Sequence, residues 1–153
     1  MSTNQQPWEP ELIKLLLIKL LIGDTNEQYV AVLTLFKGIN DNEIKILRDP
    51  SIPYNVSNLP MIVIGLLAAL NAPENRDPKI REEIAKGLGD LGNILLNKMT
   101  KIRPLDTPQL LKEVVSIKQI LLNVSQRDES GDVRRVALQA IEKMADKPWW
   151  KFW

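Results

Sequence analysis

Few residues in this chain could do chemistry. It contains neither His nor Cys, which removes the commonest general base, the commonest metal ligand, disulfides and thiolate nucleophiles. Its paired carboxylates are sequence neighbours, Glu82-Glu83 and Asp128-Glu129. Neighbours diverge on a helix and are solvated in a turn, so neither pair reads as an acid–base couple. The string Gly87-x-Gly89-x-x-Gly92 spells a dinucleotide fingerprint, but that motif must follow a strand and open a helix; here it lies within or at the end of a helical pattern. Asp41-Asn42-Glu43 and Asp49 lack the ligand spacing and the Gly of a calcium loop. No catalytic residue, metal or cofactor is therefore expected.

Two groups of residues remain as candidates. Arg81, Arg134 and Arg135 open helical segments, and stacked helices could align them into a modest anion patch. The plainer expectation is ion pairing with nearby Asp and Glu, worth roughly 0–1 kcal/mol per isolated surface pair. The second group is the end of the chain, where Trp149, Trp150, Lys151, Phe152 and Trp153 hold three of the four Trp. Such a cluster can fold back to cap the domain or anchor a protein partner. It can also make peripheral contact with a membrane headgroup zone, aided by its lysines. The expectation is that protein, not water or lipid, holds these rings.

Composition sets the frame for both groups. A chain of 153 residues, 44% hydrophobic and 25% charged, suits one globular domain. Twenty basic against nineteen acidic residues leave a net charge of +1, which gives no global field for capturing nucleic acid. The N-terminus has no basic region leading into a cleavable apolar run, so the expected address is the cytoplasm. The most apolar runs, 12–22 and 61–70, are about half of what a bilayer span requires and read as core helices.

All clear periodicity is helical, and no stretch alternates as a strand would. A first helix follows Pro10 and stops at Gly23; a second covers about 27–37 and ends at Gly38, with a short helical piece at 43–47. Pro50, Pro53 and Pro60 make 49–60 a connector. A third helix spans about 61–70. The fourth starts near Asp77-Pro78 with the stripe Ile80, Ile84, Leu88, Leu91, Leu95, Met99. Its glycines either admit a close neighbouring helix or break the segment near Gly92. Thr107, with Pro108 behind it, caps the fifth, whose stripe is Leu110, Val114, Ile117, Leu121, Val124. The sixth covers about 131–145, with Val133, Val136, Ala137, Ala140, Ile141 and Met144 inward. The result is an all-α domain over 10–146, between an N-terminal tail (1–9) and the Trp-rich tail (147–153).

The fourth and sixth helices share a pattern. Asn75 lies five residues before Ile80-Arg81, and Asp128 five before Val133-Arg134; apolar or small residues follow at matching offsets, through Ile84, Gly87, Leu88 and Leu91 in one and Ala137, Ala140, Ile141 and Met144 in the other. This resembles the second helix of a HEAT repeat, of the HEAT-like or armadillo-type helical repeat class, over about 75–91 and 128–144. The resemblance implies hairpins of the third helix with the fourth and the fifth with the sixth, and a short α-solenoid of about three hairpins. It also implies that turn Asp residues bond backbone or the Arg of an adjacent repeat, with Asp128 and Arg134 the pair to examine. The function so implied is a non-enzymatic protein–protein interaction or scaffold module. Its alternatives are a nucleic-acid-binding helical repeat, or a chromophore-handling protein related to phycobilin lyases, which the Gly87–Gly92 segment is similar to.

Overall fold

The computed structural model describes residues 8–72 and 76–144; the Trp-rich tail and Asn75 lie outside these. Among the described residues all regular structure is helical, in six principal helices. α1 (Pro10–Ile22) has Pro at its start, where a missing N–H costs nothing, and stops at Gly23. α2 starts at Thr25, two residues earlier than the apolar pattern indicates, because Asp24 and Glu27 form a reciprocal capping box. The Asp24 carboxylate accepts from the Glu27 N–H at 2.8 Å, and Glu27 accepts from the Asp24 N–H at 3.2 Å.

Gly38 does not end α2. Its backbone stays right-handed helical (φ −62°, ψ −37°), and the helix runs from Thr25–Gly38 through a wide π turn, Ile39–Glu43, into Ile44–Leu47. The glycine serves close packing instead: a Cβ there would strike the Trp8 ring. The connector then makes one 3-10 turn, Tyr54–Val56, before α3 (Leu59–Asn71).

α4 (Pro78–Ile94) is capped by Asp77, whose carboxylate accepts from the Lys79 N–H at 2.8 Å. It continues past Gly92 through a second π turn, Leu95–Met99, to Thr100–Ile102, so the glycines do not break the segment. All six stripe residues from Ile80 to Met99 are buried. α5 (Thr107–Arg127) is not capped by Thr107, which is already helical and donates to the Arg103 carbonyl; Asp106 holds the cap position without a side-chain cap bond. The Asp106 carboxylate is engaged by Arg103 instead. The five stripe residues of α5 are buried. In α6 (Gly131–Met144), Val133, Ala137, Ala140 and Met144 are buried, whereas Val136 and Ile141 are only partly so.

α1 packs on α2 and α3, α3 on α4 and α5, α2 on α4, α4 on α6, and α5 on α6. The odd-numbered helices thus pack in succession, and so do the even-numbered ones. The most extensive contact, α4 with α6, depends on missing side chains. A Cβ at Gly89 would lie 2.6 Å from the Ala140 Cβ, and one at Gly92 would meet the Met144 side chain. A single buried cluster runs through all six helices. No helix among the described residues is long and apolar enough to cross a membrane.

Candidate functional site

Arg81 leaves the first turn of α4, where Asp77 and Pro78 fix the helix start, and it points inward. It is 1% exposed, so it cannot belong to a surface anion patch with Arg134 and Arg135. Its guanidinium meets the Asp128 carboxylate in a two-pronged bond, Nε to Oδ2 at 2.9 Å and Nη2 to Oδ1 at 3.0 Å, and its Nη1 donates to the Arg76 carbonyl. Asp128 itself accepts from the Ser130 N–H at 2.9 Å. Ser130 in turn accepts from the Val133 N–H at 3.3 Å, closing the start of α6. One carboxylate therefore joins the α5–α6 turn to α4. A planar guanidinium suits such a buried, geometrically fixed role.

Arg134 reaches only the Asp128 backbone carbonyl, so the side-chain pair expected between them is replaced by Arg81–Asp128. Arg135 is exposed and pairs with Asp132 at 3.3 Å, one turn away on the same helix. Ion pairing accounts for Arg81 and Arg135, and a bond to backbone for Arg134.

A second buried arginine, Arg103, carries no motif that marks it in sequence. Sitting just after α4, it bonds the Asp106 carboxylate at 2.8 Å and donates to the carbonyls of Leu47, Asp49 and Ile52. It therefore pins the connector. Glu43, fully buried in the π turn of α2, accepts from Trp8 Nε1 at 2.6 Å and from the Asn58 N–H at 2.7 Å, tying the chain before α1 to the start of α3. Tyr54 of the connector is buried beside Glu113 of α5. Burial raises the Tyr54 hydroxyl well above its ordinary range, and the Glu113 charge adds to this. Burial likewise raises the Glu113 carboxyl, against weaker opposition from the Tyr54 hydrogen bond and Lys112. Neither the hydroxyl nor Glu113 Oε2 has a hydrogen bond of normal geometry.

These buried groups hold the fold, and Asp128 also borders a small pocket of about 170 Å³ together with Leu70, Asn71, Asn123, Val124 and Arg127. Among the described residues, no group of three or more acidic side chains is placed to bind a metal ion. Among the described residues, one surface feature with room for a ligand is a cleft of about 380 Å³ between α4 and α6; a second, of about 330 Å³, is lined by the polar side chains of Asn40, Asp41, Lys45 and Arg48. Glu82, Glu83, Lys86 and Asp90 line one side of the first, and Val136, Gln139, Ala140 and Lys143 the other. Lys143 bridges to Asp90 across it. Val136 and Ala140 supply an apolar floor, and charges of both signs form the rim. The cleft thus has an apolar centre and a polar edge. Sequence reasoning noted Glu82-Glu83 only as an unpromising acid pair and did not connect it with α6; the repeat alignment of the two helices was the available signal. The aromatic candidates Trp149, Trp150, Lys151, Phe152 and Trp153 lie outside the described residues. No family model, curated protein or solved structure matches this chain.

Proposed function

We propose that this protein is a short HEAT-like stack of three hairpins, α1–α2, α3–α4 and α5–α6, acting as a non-enzymatic protein-interaction or scaffold module. The observation that carries the reading is the Arg81–Asp128 bond. It links the Ile-Arg position of one marked helix to the turn Asp before the next, which is the adjacent-repeat contact that the HEAT resemblance implies. Odd-on-odd and even-on-even packing supports the same arrangement, since one amphipathic hairpin cannot bury both of its faces and must stack. The α4–α6 cleft is the surface assigned to the partner. Arg81 is withdrawn from the surface, and this weakens the nucleic-acid alternative. A cytoplasmic address fits such a module and remains part of the proposal.

The test is affinity capture from cells of the source organism, followed by mass spectrometry. A protein partner retained by the wild-type chain should be lost with Lys86→Glu/Gln139→Arg, two exposed changes in the cleft. Deleting 148–153 separates the roles proposed for the aromatic tail: lost thermal stability assigns it to capping, and lost capture at unchanged stability assigns it to docking. Turnover of a small molecule by the purified protein, abolished by a single Asp or Glu substitution, would overturn the non-enzymatic reading.

A further inference from the structure

The outer face of the odd-numbered helices joins exposed aliphatic side chains to exposed lysines. α1 packs on α2, α5 on α6, and α3 lies against α1, α5 and α4, and the stripes opposite their buried residues are exposed. On α1 this stripe carries Leu15, Ile18 and Ile22, on α3 Ile64, and on α5 Val115 and Leu122, all exposed. Ile22 is 80% and Ile64 67% exposed. Single exposed aliphatics need no explanation, but aligned ones on three adjoining helices do.

Charge on this face has one dominant sign. α3 contains no charged residue at all. Lys14 of α1 and Lys112 and Lys118 of α5 are exposed. Against them stands one exposed carboxylate on these three helices, Glu11 in the first turn of α1; Glu113 is half-buried beside Tyr54. α4 and α6 instead mix Glu82, Glu83 and Asp90 with Lys86 and Lys143, and the 380 Å³ cleft lies among them. Aliphatic side chains can enter the boundary between headgroups and acyl chains while lysine stems reach the phosphates.

We propose that the exposed stripes of α1, α3 and α5 dock this protein on an anionic lipid surface, lying on the bilayer without spanning it. This site is separate from the α4–α6 cleft and does not depend on the function proposed for it. Flotation of the full chain with vesicles tests it, comparing equimolar phosphatidylglycerol and phosphatidylcholine with phosphatidylcholine alone. Binding is expected only to the anionic vesicles and should weaken with salt. Ile18→Ser/Ile64→Ser, both at exposed positions, should lower the partition coefficient at least about tenfold. Each of Lys14→Gln, Lys112→Gln and Lys118→Gln should lower it roughly fivefold at low salt, with unchanged helix content and melting temperature.

Absent binding, or equal binding to both vesicle types, would overturn the proposal. So would binding that survives Ile18→Ser/Ile64→Ser but vanishes on deletion of 147–153, which would make the tail the anchor. Sedimentation equilibrium guards the last case. If Ile18→Ser/Ile64→Ser turns a dimer into a monomer and neither form binds vesicles, a second copy of the chain covers the face and the lipid proposal fails.

Discussion

The joint between the α3–α4 and α5–α6 pairs and the joint between α1–α2 and α3–α4 are built on different principles. In the first, backbones approach closely at Gly89–Ala140 and a buried arginine meets a buried aspartate. In the second, side chains fill the gap, with Leu17 against Gly65 and Phe36 against Gly87. Its buried charges do not pair across it; they hold backbone. Arg103 gathers the Leu47 carbonyl at the end of the preceding helix and two carbonyls of the connector, and Glu43 takes the N–H at the start of α3. Apolar filling can slide or repack, whereas a two-pronged charge pair permits one register. The second half of the chain should therefore be the more exactly specified, and the first half the more tolerant of substitution.

The largest effect should come from breaking the pair. Asp128→Ala leaves Arg81 buried without its carboxylate, and such losses cost about 3–5 kcal/mol. Leu17→Ala, a half-buried truncation at the other joint, should cost clearly less, near or below the roughly 2 kcal/mol at the low end of core Leu losses. Urea unfolding of both variants checks this, and equal losses would erase the distinction between the joints. Arg81→Met combined with Asp128→Leu should recover most of the loss, because an apolar replacement of a buried pair is often neutral or better.

Next in size is Arg103→Met. It strips two connector carbonyls, the Leu47 carbonyl and Asp106 of a shared donor, and each unsatisfied buried group costs about 1–3 kcal/mol. Part of that is relieved if the connector opens to water. The expected signature is local: hydrogen exchange and proteolysis within 49–58 should rise more than global stability falls. A purely global loss would show that the connector is as firmly built as the second joint.

Glycine substitutions give a smaller contrast. At Gly89 an added methyl meets the Ala140 Cβ at 2.6 Å and its Cα at 2.8 Å, atoms fixed to backbone, so Gly89→Ala should cost about 1–3 kcal/mol by overpacking. At Gly87 it meets the outer edge of the half-buried Phe36 ring. That ring can swing, and the helix gains about 0.5–1 kcal/mol on losing a glycine, so Gly87→Ala should come out near zero. Thermal melts of the two variants measure the difference in backbone approach directly.

Much of this architecture was legible in the sequence, for reasons the same comparison explains. Apolar stripes at helical spacing, Pro10, Pro78 and Gly23 act locally, so they marked the helices and predicted the buried faces of α4 and α5. Gly38 misled because a glycine that ends a helix and one that admits a ring look alike in sequence; Trp8, thirty residues away, decides. Arg81 read as a surface charge because its partner is 47 residues distant, although the repeated Arg and turn Asp gave a usable signal. Arg103 and Glu43 gave none, since they bind backbone groups whose positions only the fold creates. The α4–α6 cleft was hidden for the same reason: each helix alone shows an ordinary charged face.

The smallest expected effect concerns the contact between connector and α5, and its sign follows from Glu113. Burial penalises the ionised carboxylate, so folded Glu113 keeps its proton above the ordinary value of 4.5, where the unfolded chain has begun to release it. The folded state then binds more protons than the unfolded state. The stability associated with the neutral carboxyl is full below pH 4.5 and is lost as pH rises through the folded value. Tyr54 acts in the same sense at the alkaline end, because its raised hydroxyl makes folding lose ground above pH 10. Since Glu113 is only partly buried, solvent screens much of the effect. Glu113→Gln keeps the shape and removes the titration. Urea midpoints measured from below pH 4.5 to neutrality should fall for the wild-type chain relative to this variant, by a small margin. Parallel curves would mean that the connector gives way and hydrates the carboxylate, placing this contact with the yielding first joint and not with the Arg81–Asp128 seam.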